Sequence, residues 1–258
     1  MPTPEDAIGH RKRLRDKLLH NEPYTALSDY EVLEVLLGYV IPRKDTKPLA
    51  KELIRHFGSM GGVFSARPDE LQTVSGVKEM SAALIKAIHC AHLYVLEQSM
   101  NKQPAMQNWK DVLNYYYVNI AHISREEVRV LYLNAKGFVL SDELISTGSI
   151  SEVGIYPREI IDKALKQKAT GLILVHNHPS GNPAPSENDI NATCDLYDTC
   201  AGINVRLYNH IIISSSGMTS FRQLRCPPFE NEPYTELDKK MSLGDYTYHP
   251  PITTKKTE

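Results

Sequence analysis

Apolar positions recur at helical spacing through roughly the first hundred residues and change to alternation after a polar stretch, so the chain reads as two parts of different kind. Ser28, followed three residues later by Glu31, forms a capping box ahead of Val32, Leu33, Val35, Leu36 and Leu37. Leu49, Ala50, Leu53, Ile54 and Phe57 share the face of a second helix, which Gly58 is placed to end. Pro68-Asp69-Glu70-Leu71 opens a very short third helix, and a fourth runs from about Glu79 to Glu97 with Ala82, Ile85, Ile88 and Leu93 among its apolar positions. The polar stretch Gln98 to Gln107, interrupted by Pro104, lacks periodicity and serves as a linker.

Beyond it Val128, Val130 and Tyr132 fall on one face of a strand. Asn134-Ala135-Lys136-Gly137 supplies turn chemistry, and Phe138 to Thr147 is the returning strand. Pro157 begins a helix that carries Ile160, Ile161, Ala164 and Leu165 and stops before Gly171. Leu172 to Val175 is a buried strand running into His176, a further helix follows Ser186, and a late strand includes Ile211 to Ile213. The expected organisation is a helical domain over 1–100, a linker over 101–107 and an α/β domain over 108–226. Residues 227–258, rich in Pro, Lys, Thr and acids, are expected to be a disordered tail.

At 258 residues, the length favours two domains, or one domain with appendages. The formal charge of -2 gives no global pull toward nucleic acid or membrane, and no apolar run is long enough to span a bilayer. The start lacks a secretory pattern, so the cytoplasm is the expected compartment. One local basic run, Arg11 to Lys17, reads equally as a solvated helical face or as a phosphate contact. Cys90, Cys194, Cys200 and Cys226 show no C-x-x-C spacing, so any metal ligands must come from nitrogen and oxygen donors.

The histidines supply such a set. Side chains two apart on a strand point to the same side, which makes His176 and His178 converge at the end of the apolar strand. The Pro-rich turn after them returns the chain to a helix at Ser186, with Asp189 in its first turn. Two imidazoles and one carboxylate leave a fourth tetrahedral position for water, the arrangement of a catalytic zinc. Each piece has a plain reading as well: Ser186-x-x-Asp189 is also an ordinary capped helix start, and an isolated His-x-His is often a polar strand end. Their conjunction is the informative feature.

His176-x-His178, then Ser186-x-x-Asp189, resembles the JAMM metalloprotease motif, and His176-Asn177-His178-Pro179-Ser180-Gly181 with Pro185-Ser186 resembles its RadC branch. Gly9 to Arg15, Leu27-Ser28-Asp29, Phe57-Gly58-Ser59, Arg129 to Asn134, Gly148 and Pro157-Arg158-Glu159 fit the same family. The resemblance implies a helical N-terminal domain followed by a cytidine-deaminase-like α/β JAMM (MPN) domain. It implies zinc held by His176, His178 and Asp189, with Ser186 as oxyanion donor and Glu143 as the upstream catalytic glutamate. The implied activity is hydrolysis of a peptide or isopeptide bond, with an association with DNA repair.

Leu71 to Ala82 resembles a helix-hairpin-helix, in which Lys78 replaces the second hairpin glycine; weak, non-specific DNA binding is the corresponding expectation. The late strand carries Asn209-His210 where RadC proteins usually carry Asp-His, so His210 is expected to pack or hydrogen-bond locally. The alternative to an enzyme is a non-enzymatic DNA-associated module with a structural zinc, or a scaffold that docks a partner through its tail.

Overall fold

The computed structural model describes residues 4–20, 27–148 and 155–248; the end of the expected tail, 249–258, lies outside them. The chain divides into two compact units, Met1–His92 and Leu93–Glu258.

The first unit is helical: α1 (Pro4–His20), α2 (Asp29–Val40), α3 (Lys47–Phe57), α4 (Met60–Ser65), α5 (Pro68–Gln72) and the start of α6 (Glu79–Met100). The Ser28–Glu31 capping box opens α2, with Ser28 N donating to Glu31 Oε2 at 2.9 Å, and Gly58 closes α3. Leu33, Leu37, Leu53, Val63, Leu71 and Ile85 form its core. Part of the basic run is structural. Arg11 donates to the carbonyls of Pro42 at 2.8 Å and Ile41 at 3.0 Å, and to that of Lys44, so it caps the end of α2. In the turn between α5 and α6, Gly76 has φ +99, a conformation that favours glycine. Lys78 is not among the described non-glycine residues with positive φ, so its backbone does not call for glycine.

The division between units falls inside α6, eight residues before the expected end of the helical domain at residue 100. The segment expected to be a linker is packed: Met100 and Ala105 are buried in a cluster with Trp109, Val112 and Tyr116. Those last three belong to α7 (Trp109–Ile120), a helix that the sequence reading missed. Its run of aromatics favours a strand by propensity, yet Trp109, Val112, Leu113, Tyr116 and Ile120 fall at helical spacing and bury together.

The second unit is built on a five-stranded mixed sheet, in the order β2 (Val139–Gly148), β1 (Glu126–Leu133), β3 (Gly171–Asn177), β4 (Arg206–Ser214), β5 (Gly217–Ser220). Pairing is antiparallel except between β3 and β4. Two helices, α8 (Pro157–Gln167) and α9 (Glu187–Ala201), bury Ile160, Ala164, Leu196 and Cys200 with Val128, Val130, Leu172 and Leu174. The other set of alternate residues, Leu131, Leu133, Ile173, Val175, Ile211 and Ile213, packs with α7. On that side Asp142 accepts from Tyr115 and Tyr116 and pairs with Arg129 at 2.8 Å, which ties α7 to β1 and β2. Among the described residues no helix is long and apolar enough to cross a membrane.

The segment expected to be disordered from residue 227 is folded as far as it is described. It contains α11 (Glu236–Lys240) and two 3-10 turns, Phe229–Asn231 and Gly244–Tyr246. Phe229, Met241 and Leu243 enter the two cores, each contributing roughly 1.5–3 kcal/mol of burial. Low overall hydrophobicity misled the sequence reading, because the segment also carries counter-ions. Arg222, 2% exposed in the four-residue helix α10 (Phe221–Leu224), donates to Glu232 Oε2 at 2.6 Å. Its Nε lies 2.8 Å from Asp238 Oδ1, an ion pair without the alignment of a hydrogen bond. Asp238 also caps α11 through Thr235 N.

Removing one partner of a buried pair strands the other. Asp238→Ala is therefore expected to destabilise the protein by roughly 2 to 4 kcal/mol, read as a lower melting temperature, whereas Lys240→Ala at an exposed position should leave it unchanged. Equal melting of both variants would show that the segment adds no stability.

Candidate metal centre

His176 is on β3, His178 follows the strand's last residue, and Asp189 is in the first turn of α9. His176 Nε2 lies 2.9 Å from His178 Nε2 and 3.2 Å from Asp189 Oδ1, and His178 Nε2 lies 3.5 Å from Asp189 Oδ2. Tetrahedral zinc with ligand bonds near 2.05 Å separates its donors by about 3.3 Å. The donor set and spacing therefore fit that ion. Among the described residues this is the group of histidine and acidic side chains placed to hold a metal.

Local chemistry orients each donor. His178 Nδ1 contacts the carbonyl oxygen of Asn182 at 2.9 Å, and a carbonyl only accepts. The proton is thus on Nδ1, and Nε2 presents its lone pair. The carbonyl is brought there by a loop that turns through Gly181 at φ +84, a conformation that favours glycine. Asp189 is fixed by the capping box of α9. Its Oδ2 accepts from Ser186 N at 2.7 Å and from Ser186 Oγ at 2.6 Å. The helix start and the candidate ligand are accordingly one structure. Burial alone would raise the Asp189 carboxyl, but the facing imidazoles of His176 and His178 and the Ser186 hydroxyl outweigh it and hold the group far below the usual carboxylate range. Burial pushes His176 below the ordinary imidazole value. Burial would lower His178 as well, but the Asp189 carboxylate and the Asn182 carbonyl outweigh it and raise it.

Ser186 stands beside the donors, but its hydroxyl proton is directed at Asp189 Oδ2. Its place in this geometry is to steady the Asp189 carboxylate, and an oxyanion role would require the proton to turn away.

Glu143 is not brought to the group. It faces α8, where its carboxylate accepts from Lys163 Nζ at 2.9 Å and Gln167 Nε2 at 3.0 Å. The register explains this: Glu143 is opposite Val130, which is opposite Leu174, whereas His176 is opposite Val128. The next residue of β1 on the face of Val128, toward the end of β3 that carries the histidines, is Glu126, whose carboxylate feels the charges of His178 and Asp189. It is 8% exposed. Burial raises its carboxyl, the charge of His178 lowers it, and that of Asp189 raises it further. The adjacent Glu127 is turned away onto Arg125, at 2.7 Å. The alternation that put Val128, Val130 and Tyr132 on one face already contained Glu126, one step outside the apolar run.

His210 is also closer to the centre than the sequence reading held. It stacks on Phe221, as expected for local packing, but its Nε2 lies 2.7 Å from His176 Nδ1.

Residues 106–226 match the family model of the RadC-like JAB domain, and residues 7–83 match that of the UPF0758 N-terminal domain. The first match encloses β1, β3, α9 and every side chain placed around the histidine pair, and the second encloses most of the helical unit. With both of its units matched in this order, the chain belongs to the RadC family.

Proposed function

We propose that this protein is a zinc-dependent hydrolase of the JAMM type that cleaves a peptide or isopeptide bond. The observation that carries the reading is the convergence of His176 Nε2, His178 Nε2 and the Asp189 carboxylate within 2.9–3.5 Å of one another, with the His178 lone pair fixed inward. Zinc held there supplies a water molecule acidified to near neutral pH and polarises a substrate carbonyl. Glu126 replaces Glu143 as the general base in this proposal. Its buried carboxyl, raised in affinity for protons, accepts a proton from the attacking water and returns it to the leaving nitrogen. Glu143, committed to Lys163 and Gln167, is assigned to the packing of β2 against α8.

In the helical unit, Arg43, Lys44 and Lys78 outnumber Asp45 and Glu52 along one groove that also includes Ser75 and Gly76, which favours a second, accessory property: weak attraction of a nucleic-acid backbone without sequence preference. Arg11 does not contribute, since its guanidinium is spent on backbone carbonyls.

Purified protein is expected to carry about one zinc per chain and to lose it in the His176→Ala, His178→Ala double variant. Stoichiometric zinc that survives the double change, measured by elemental analysis, would refute the ligand set. A screen of peptide and isopeptide substrates should show hydrolysis that falls by roughly two or more orders of magnitude in Glu126→Gln with zinc retained. Glu143→Gln should stay within a few-fold of the parent, and the reverse ranking would restore Glu143 as the base. For the groove, the Lys44→Ala, Lys78→Ala variant of the whole chain should bind labelled duplex DNA more weakly and with a shallower salt dependence. Absence of any binding by the parent at low salt would dismiss the nucleic-acid property.

A further inference from the structure

Behind the three candidate ligands runs a line of buried polar groups. His176 Nδ1 lies 2.7 Å from His210 Nε2, and His210 Nδ1 lies 2.7 Å from Thr193 Oγ1. The Thr193 hydroxyl in turn donates to the backbone carbonyl of Asp189, one helical turn earlier on α9. His210 and Thr193 are both 0% exposed, so this line is closed to bulk water. The ring of His210 is held in plane by Phe221, with centroids 4.5 Å apart and planes 22° from parallel.

A hydroxyl has one proton. With that proton on the Asp189 carbonyl, the Thr193 oxygen is left to accept, so His210 must carry its proton on Nδ1. His210 Nε2 is then an acceptor, and the proton between the two rings belongs to His176 Nδ1. His176 Nε2 is left with a lone pair facing His178 and Asp189. The opposite direction, with the hydroxyl turned to His210, would place a proton on His176 Nε2 and close that position to a cation.

We propose that His210 and Thr193 are positioning residues for the metal centre: they fix the ring orientation and tautomer of His176, and they join that ligand on β3 to the ligand Asp189 on α9. The proposal rests on the metal-centre reading above. A partner on the far nitrogen of a ligating histidine sets its tautomer and strengthens it as a donor, and loss of such a partner typically weakens metal binding roughly 10- to 100-fold. Thr193→Val keeps the side chain's shape but removes the acceptor for His210 Nδ1–H. The tautomer of His210 with its proton on Nε2 then strands only a lone pair, and it drives His176 into the form that cannot accept a metal.

The test is zinc affinity of the full chain, measured by competition with a chromogenic chelator, together with 15N histidine NMR of the zinc-loaded protein. Thr193→Val and His210→Leu should bind zinc roughly 10- to 100-fold more weakly than the parent. Thr193→Ser, which restores the hydroxyl, and His210→Gln, whose amide oxygen can accept from His176, should recover most of that loss. The NMR spectrum should show His176 and His210 as neutral rings protonated at Nδ1. Parent-like zinc affinity in Thr193→Val overturns the proposal and leaves the metal centre standing. A Thr193→Ser loss equal to that of valine also overturns it, because the effect would then be helix packing. A His210 protonated at Nε2 in the loaded protein does the same. If the unaltered protein takes up no zinc, the metal-centre reading falls, and this inference falls with it. Should His210→Leu fail to fold, as judged by thermal melting, the Thr193 pair decides alone.

Discussion

The pairing of β3 between β1 and β4 is the constraint on which the site depends. A β-strand has a strict period of two, so once Val128 is opposite His176 and His210 is opposite Leu174, the face of every neighbouring side chain is settled. Glu126, His176 and His210 then share the side of the sheet covered by α8 and α9. A slip of one residue on any of the three strands would send one of these groups into the opposite core of Leu131, Val175 and Ile211. Hydrophobic burial on both faces is what forbids that slip, so the apolar residues that do no chemistry hold the polar ones in register.

This explains which parts of the site were legible in the sequence. His176, His178 and Asp189 lie within a short stretch, and local rules alone, strand alternation and a helix start, place them together. Glu126 and His210 come from strands distant in sequence, where the distance along the chain says nothing about neighbourhood. Choosing between Glu126 and Glu143 requires the register of β1 against both β2 and β3, and register belongs to the assembled sheet. The same divide separates the legible and illegible parts of the fold. The capping box at Ser28 and the stop at Gly58 are local and were read directly. The helical state of α7 is decided by the sheet face that Trp109, Val112 and Tyr116 cover, against the strand preference of their aromatic neighbours.

Economy of polar groups marks the centre. The Ser186–Asp189 pair starts α9 in the way that helices ordinarily start, and the same carboxylate faces two imidazoles. The plain reading of that pair and the functional one are therefore not rivals. Thr193 is similar: its bond to the carbonyl four residues back is a common helical habit, and its oxygen is at the same time within reach of His210.

The buried guanidinium of Arg222 separates two notions of where this domain stops. The match to the RadC-like JAB domain ends at residue 226, but the carboxylates that neutralise Arg222 are Glu232 and Asp238, downstream of it. Likeness by descent and autonomy in folding thus have different borders in this chain. A gene fragment trimmed to the shared region would encode every group around the histidine pair and still leave an ion stranded in a greasy interior.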